Sequence, residues 1–169
     1  SACQGTLTAA STNTSYVTIT GGASNSNVAS GTAKTVTWKG VGYTTGVNIN
    51  VNYAPTDTAN CNSASQKTYS AKVNKVAATN PTLTDTTATY NGSAHAIGVS
   101  GGSGGTIYYR TSTDNSTWGS WSTTKPTLTN KGKVYVQAYV KGDGNHTDTS
   151  ATASKSITIS QREATVTAP

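Results

Sequence analysis

The chain has 169 residues, of which 33% are hydrophobic and only 11% are charged, and its net charge is +6. An average soluble domain has roughly 25% charged residues, so this composition disfavours a cytosolic enzyme and suits an extracellular protein. The positive charge reflects few acidic residues, and no basic run with interleaved aromatics indicates nucleic-acid binding. Nine Tyr and three Trp supply a hydrophobic core, which argues against disorder. No stretch approaches the roughly 20 apolar residues of a transmembrane helix, so no membrane span is expected.

The first half of the chain shows strand signals and no helical periodicity. Short alternating segments, rich in Thr and Val, are separated by clusters of Gly, Asn, Ser and Pro, the pattern of an all-β domain. The predicted strands cover residues 5–9, 15–20, 35–39, 47–53 and 68–73. Residues 1–75 are therefore expected to form one β-sandwich domain.

Two cysteines, Cys3 and Cys61, both lie in this first half. In an exported protein they are expected to form a disulfide, which the chain-entropy model credits with roughly 3–4 kcal/mol. A metal site or a reactive thiol has no support, because no CxxC motif or neighbouring His accompanies them. An intermolecular bridge through Cys3 remains the alternative.

The second half, residues 76–160, is predicted to form a second β-domain. Its predicted strands cover residues 83–90, 95–99, 106–112, 117–121, 134–140 and 154–160. Asn91-Gly92 favours a tight turn, because both residues tolerate positive φ. The glycine-rich segment 101–105 is expected to be a flexible connection, since no helix or Lys-Ser/Thr follows it as in a phosphate-binding loop.

The two halves repeat each other. Val47-Asn-Ile-Asn-Val51 recurs as Val134-Tyr-Val-Gln-Ala138, and the closing strand at 67–75 recurs at 155–160. The separation of roughly 86 residues approaches the roughly 100-residue length of a β-sandwich module. Residues 161–167 resemble 74–79, so residues 161–169 are expected to begin a further repeat or to form a linker.

The second half, residues 76–160, carries a set of motifs. They are Ala88-Thr-Tyr-Asn-Gly-Ser-Ala94, Tyr108-Tyr-Arg-Thr-Ser-Thr-Asp114 followed by Trp118, Val134-Tyr-Val136 and Gly142-Asp-Gly-Asn145. This set resembles bacterial immunoglobulin-like repeat domains of surface proteins and phage virions. The first half departs from it, since it lacks the Tyr-Asn-Gly-Ser-Ala motif and adds two cysteines. The resemblance implies two tandem immunoglobulin-like β-sandwiches in a non-enzymatic spacer, adhesion stalk or display segment, located on a bacterial cell surface or a phage virion.

Four aromatic residues are candidates for glycan binding. Trp118 and Trp121 lie three apart on one predicted strand and Tyr108 and Tyr109 are adjacent, so each pair should point to opposite faces. An exposed ring can stack on a sugar, whereas ordinary cross-strand packing is the competing interpretation. The alternative function is therefore a carbohydrate-binding adhesion module with cell-surface glycans as partners. The segment Ser112-Thr-Asp-Asn-Ser-Thr-Trp118 loosely resembles the Asp-box hairpin of sialidase-like proteins, a structural motif.

The sequence contains only weak indications of a metal site or of catalytic residues. Asp143, Asn145 and Asp148 could offer oxygens to calcium, but a turn stabilised by Asx hydrogen bonds explains the same residues. His95 and His146 do not form a zinc motif. The acids fall mostly in predicted turns, and no spacing indicates a catalytic pair. We therefore expect no enzyme activity, no cofactor and no resident metal.

Self-assembly is the third hypothesis. An unpaired edge strand, or Cys3, could join neighbouring copies into a filament or a virion decoration. The sequence thus leaves three functions open: a structural segment, a glycan-binding module and a self-assembling subunit.

Overall fold

The computed structural model describes residues 2–169, which form sixteen β-strands and no helix. The chain divides into two compact units, Ser1–Lys75 and Val76–Pro169, called unit 1 and unit 2 here. Each unit has its own sheets and its own hydrophobic core. The predicted all-β class is confirmed.

Unit 1 consists of one four-stranded and one two-stranded antiparallel sheet. Its strands are β1 (Gln4–Ser11), β2 (Val17–Gly21), β3 (Ser24–Ala29), β4 (Thr37–Gly40), β5 (Thr44–Pro55) and β6 (Lys67–Val73). The larger sheet has the order β3-β1-β5-β6, and β2 pairs with β4. β5 is an inner strand of the larger sheet: its residues 49–55 pair with β1 and its residues 44–51 pair with β6.

The core of unit 1 joins its two sheets. Side chains alternate along a strand, so Val47 and Ile49 of β5 point to the same face, and each is only 6% exposed. They cluster with Ala9 of β1 and Ala71 of β6, and Val17 of β2 completes the cluster from the smaller sheet. Two sheets that share one core in this way are consistent with a β-sandwich.

A disulfide joins Cys3 to Cys61, as predicted, and their Cα atoms are 6.0 Å apart. It ties the residue preceding β1 to the loop that follows β5. Beside it, the Tyr53 hydroxyl is 3.0 Å from the Cys3 carbonyl and 2.8 Å from the Val28 carbonyl. These contacts fix Cys3 to the larger sheet.

Unit 2 consists of one four-stranded sheet and three two-stranded pairings. Its strands are β7 (Val76–Ala77), β8 (Thr79–Thr84), β9 (Thr86–Thr89), β10 (His95–Ala96), β11 (Gly98–Ser103), β12 (Gly105–Ser112), β13 (Thr127–Leu128), β14 (Gly132–Gly142), β15 (His146–Thr147) and β16 (Lys155–Ser160). The larger sheet has the order β12-β14-β16-β9. β8 pairs with β11, β10 with β13, and β7 with β15.

The core of unit 2 contains more buried residues than that of unit 1. Ile157 and Ile159 of β16 and Val136 of β14 are between 0% and 2% exposed. They pack with Leu83 of β8, with Ile97, which lies between β10 and β11, and with the partly buried Leu128 of β13. The alternation of apolar and polar residues in β14 and β16 therefore places one face of the larger sheet against the core.

The opening and closing segments of unit 2 run side by side in the same direction. At one end Val76 donates its N–H to the Asn145 carbonyl at 3.0 Å, and at the other Tyr90 donates to the Ser160 carbonyl at 2.9 Å. Between these points β9 pairs with β16 in parallel. Val76 and Ser160 consequently lie at opposite ends of unit 2.

Four local predictions are wrong. Residues 25–27, an Asn/Ser cluster of the kind expected to separate strands, lie within β3, and the segment 101–105 belongs largely to β11 and β12 instead of forming a flexible loop. The predicted strand at 117–121 does not form. The predicted strand at 83–90 is interrupted at Asp85, which separates β8 from β9.

Residues 161–169 form no strand and are exposed. The expected opening strand of a further repeat therefore has no pairing partner in this structure. Within residues 2–169, no helix has the length and apolar character needed to cross a membrane.

Candidate functional site

The outer face of β12 and β14 carries a row of aromatic and basic side chains. The antiparallel register places Tyr108 opposite Tyr139 and Arg110 opposite Gln137. These residues alternate with core residues along both strands, so they share the face that points away from the core. With two Trp residues from the following segment they form the aromatic surface, which comprises Tyr108, Arg110, Trp118, Trp121, Gln137 and Tyr139.

Tyr109 lies on the other side of the same strand. Its ring is only 7% exposed and belongs to the hydrophobic core. Burial disfavours the charged phenolate and raises the pKa of Tyr109. Tyr108 and Tyr109 therefore point to opposite faces, as predicted, and Tyr109 lies outside the aromatic surface.

A tight turn after β12 reverses the chain over this face. The Asp114 carboxylate accepts the Ser112 hydroxyl at 2.8 Å and the backbone N–H groups of Ser116 and Thr117 at 2.9 and 2.7 Å. Asn115, at φ 59°, adopts the left-handed conformation that Asn tolerates. These hydrogen bonds, that of the Thr117 N–H foremost, lower the pKa of Asp114 to about 2.

The segment after the turn carries Trp118 and Trp121 back along β12, where they occupy the same face. Gly119 donates to the Thr111 carbonyl at 2.9 Å, whereas Ser122 exchanges two hydrogen bonds with Tyr109 at 2.7 and 2.8 Å. Between these pairings β12 advances by two residues and the returning segment by three. Such an extra residue redirects side chains, as in a β-bulge. The expectation that the two Trp residues point to opposite faces is therefore wrong.

Arg110 is the centre of the aromatic surface. Its guanidinium carbon lies 5.1 Å from the Trp118 ring centroid and 4.5 Å from that of Trp121, within the range of cation–π attraction. Its Nε and Nη2 atoms both donate to Gln137 Oε1, at 2.9 and 2.7 Å. The guanidinium is thus held in a fixed orientation by two rings and one amide.

Ring contacts extend the surface along the sheet. Trp121 meets Tyr139 edge-on, with centroids 4.6 Å apart, and Tyr139 stacks on Tyr108 at 5.5 Å. The Lys141 ammonium lies 6.0 Å from the Tyr108 ring at the end of the row. Each of the four rings is half-buried by its neighbours. The result is a continuous, basic and partly apolar surface that can offer ring faces and N–H donors to a ligand.

A small cleft adjoins this surface. Its volume is about 250 Å³, and its lining includes Arg110, Ser120, Thr124 and Leu128. This is below the roughly 300–1,000 Å³ of a typical small-molecule pocket. The geometry favours surface contact over enclosure of a ligand.

The calcium candidates form a hydrogen-bonded turn. Asp143 Oδ1 accepts the Asn145 N–H at 2.8 Å and lies 2.7 Å from His146 Nδ1. Asp148 Oδ1 accepts the Gly142 N–H at 2.8 Å. The contact with His146, followed by the Asn145 N–H, lowers the pKa of Asp143. Within residues 2–169, no three His, Cys, Asp or Glu side chains are placed to hold a metal ion.

The remaining aspartates also accept hydrogen bonds from backbone N–H groups. Asp57 accepts the N–H groups of Ala59 and Asn60 at 3.1 and 3.2 Å. Hydrogen bonds lower the pKa of Asp57, and the largest contribution comes from the Asn60 side chain. Asp85, between β8 and β9, accepts the Ser156 N–H at 2.7 Å. Each aspartate of the chain therefore holds a turn or a strand end in place.

Neither models of known protein families, nor curated proteins, nor solved structures show significant similarity to this chain.

Sequence reasoning found Tyr108, Trp118 and Trp121 but missed Arg110 and Tyr139 as members of the aromatic surface. Period-two alternation from Tyr108 would have placed Arg110 on the same face. The register of β12 against β14, which brings Tyr139 beside Tyr108, has no comparable sequence signal.

Proposed function

We propose that this chain is a non-enzymatic structural segment of an extracellular surface or fibre protein, a spacer or adhesion stalk built from immunoglobulin-like modules on a bacterial cell or a phage virion. The observation that carries this proposal is the parallel pairing of β9 with β16 in unit 2. Because Val76 and Ser160 lie at opposite ends of the unit, tension applied through the chain pulls these two strands in opposite directions. All of their hydrogen bonds are then loaded together, so the unit resists extension.

The disulfide supports the same role in unit 1. Tension that enters at Cys3 passes through the covalent bond to Cys61, across a sequence separation of 58 residues. The enclosed residues, which include β1 and all of β5, are therefore bypassed by the force. A disulfide is also typical of proteins that function outside the reducing cytosol.

The aspartates support a structural role as well. Asp57, Asp114, Asp143 and Asp148 accept backbone N–H groups within turns, and Asp85 holds β16. These interactions fix loops around the sheets.

Single-molecule force spectroscopy tests this proposal. Stretching the chain between handles at its two ends should give a distinct force peak for unit 2. Reduction of the disulfide should lengthen the extension from unit 1 by about 200 Å, the contour of roughly 58 residues at about 3.4 Å each. Extension of unit 2 without a force peak would overturn the load-bearing role.

A matched pair of proline variants tests whether the hydrogen bonds between β9 and β16 resist the extension of unit 2. Backbone N–H groups alternate in direction along a strand, and Tyr90 donates to β16, so the N–H of Ala88 points to β16 and that of Thr87 points away. Ala88→Pro removes one loaded hydrogen bond and should lower the force peak, whereas Thr87→Pro should lower it less. Equal effects of the two variants would contradict the shear argument.

The aromatic surface favours a second candidate function, carbohydrate recognition in adhesion. Exposed rings stack on sugars, and the oriented guanidinium of Arg110 together with Lys141 favours glycans that carry acidic groups. A glycan array that includes acidic sugars should show binding by the wild type, and Trp118→Ala and Trp121→Ala should abolish it. Trp38→Ala is the matched control, because it removes a 43% exposed indole from unit 1. Silence across the array, or equal loss with Trp38→Ala, would remove this function.

A further inference from the structure

The two units differ at one edge of their larger sheets. In unit 2, the strand that follows the central strand β14 is β16, and its outer edge is covered by β9. In unit 1 the corresponding strand is β6, which pairs with β5 on one side and is the last strand of its sheet. Among residues 2–169 no strand covers the outer edge of β6, so its outward N–H and C=O groups can accept another strand.

The inner face beside this edge is also uncovered. Ile49 pairs with Tyr69, so the two side chains share a face, yet Tyr69 is 60% exposed. A groove of about 540 Å³ lies here between the sheet and residues 32–38. Its lining includes Leu7, Val36 and Trp38. Unit 1 therefore presents an apolar groove directly next to an unpaired strand edge.

Unit 2 shows what kind of strand closes such an edge. β9 reads Thr86-Thr-Ala-Thr89 and runs parallel to β16, with Ala88 packed against the core. Thr87 and Thr89 are exposed. The partly buried positions of β9 are Thr86 and Ala88, so a short strand with small side chains facing the core and threonines facing outward is sufficient to cover this edge.

A segment with the same pattern lies unpaired in residues 161–169. Ala164-Thr-Val-Thr167 alternates small apolar residues with threonine, and Val166 is 97% exposed. This extreme exposure of an apolar side chain is unfavourable in water. The segment also follows Glu163, whereas Lys34 and Lys67 line the groove, so opposite charges meet if the strand runs parallel to β6.

We propose that residues 164–167 of a second copy of this chain add as a parallel strand to the outer edge of β6, with Ala164 and Val166 in the groove of unit 1. This is strand addition, in which backbone hydrogen bonds give affinity and alternate side chains fill pockets. A second copy is the source because residues 161–169 are exposed and form no strand in the chain itself, and β6 is the last strand of its sheet there, so the chain does not pair this segment with its own β6.

Sedimentation equilibrium with two charge variants tests the contact. Val166→Lys places an ammonium group in the groove, which Lys34 and Lys67 line, whereas Thr167→Lys adds the same charge on the opposite face of the strand. The wild type should self-associate with rising concentration. Val166→Lys should weaken association by at least about ten- to a hundredfold, the worth of one buried Val, and Thr167→Lys should have much less effect. A wild type that stays monomeric to millimolar concentration, or equal effects of both variants, would overturn the proposal.

Photo-crosslinking identifies the occupant. A benzophenone amino acid at position 166, in a mixture of ¹⁴N- and ¹⁵N-labelled chains, should give mixed-isotope crosslinks to residues 32–38 or 67–73. Crosslinked peptide pairs in which both peptides always carry the same isotope, at a yield independent of concentration, would show that the segment docks within its own chain. Crosslinks that map elsewhere would show association through a different surface. Either result contradicts the assignment of this groove to a second copy.

Discussion

Removal of the disulfide should destabilise unit 1 by about 4 kcal/mol and leave unit 2 unchanged. The bond joins residues separated by 58 positions. The loop-closure entropy that it removes from the unfolded chain is worth about 3 kcal/mol for a 15-residue loop and about 4.7 kcal/mol for a 100-residue loop, which places this loop near 4 kcal/mol. A unit of about 75 residues has a total unfolding free energy of roughly 4–11 kcal/mol. The variant Cys3→Ser/Cys61→Ser therefore brings unit 1 close to its stability limit.

Hydrogen exchange followed by mass spectrometry measures both units in one sample. Amides of β5 in unit 1 should exchange roughly a thousandfold faster in the variant, since each 1.4 kcal/mol corresponds to a factor of about ten. Amides of β14 and β16 in unit 2 serve as the internal control. Wild-type chain with its disulfide reduced should match the variant, which separates the crosslink from the serine substitutions. Protection of β5 within tenfold of the oxidised wild type, or equal acceleration in unit 2, would refute the reasoning.

Three further predictions concern the cores and turns. Ile157→Ala, at a side chain that is 0% exposed, should lower the unfolding free energy of unit 2 by about 2–5 kcal/mol in urea titrations and leave unit 1 unchanged. Tyr53→Phe removes the hydroxyl that contacts the Cys3 and Val28 carbonyls and should cost unit 1 about 1 kcal/mol by the same measurement. The pKa of Asp114 is lowered from 3.8 to about 2 in the folded state, so its carboxylate stabilises unit 2 above pH 3.8 and this contribution is lost as the pH falls to about 2. Urea titrations across this range should show that Asp114→Asn is less stable than wild type at pH 6 and that the difference disappears near pH 2; a difference that persists unchanged would contradict the assigned role of the turn.

The strands that form the cores were predictable because their periodicity is strong. Val47, Ile49 and Val51 alternate with asparagine, and Ile157 and Ile159 alternate with threonine and serine, so the sequence alone indicates which face is buried. The strand β3 was not predictable in this way, because its sequence Ser-Asn-Ser-Asn-Val-Ala has the composition of a turn. That segment becomes a strand because it pairs with β1, and such tertiary contacts override local preference.

The candidate site was predicted less completely because it depends on a turn. The sequence predicts that Trp118 and Trp121 lie on one strand, where their spacing of three residues would point them to opposite faces. The Asp114 turn instead sends the chain back across β12 with one extra residue, which brings both rings to Arg110. A single inserted residue changes the face of every side chain that follows, and its position is set by hydrogen bonds that a periodicity argument does not detect.

The disulfide and the open strand edge of unit 1 both relate to one difference between the units: β16 of unit 2 is covered by another strand, whereas β6 of unit 1 is the last strand of its sheet. In unit 2, β9 covers β16, and the side chains of Ile157 and Ile159 are almost completely buried beneath the paired strands. In unit 1 the uncovered strand β6 contributes Ala71 to the core and leaves Tyr69 exposed, so less apolar surface is removed from water. A small domain with a reduced core requires another source of stability, and a crosslink that restricts the unfolded chain provides it. The covalent bond therefore keeps unit 1 folded while its strand edge remains available for a partner.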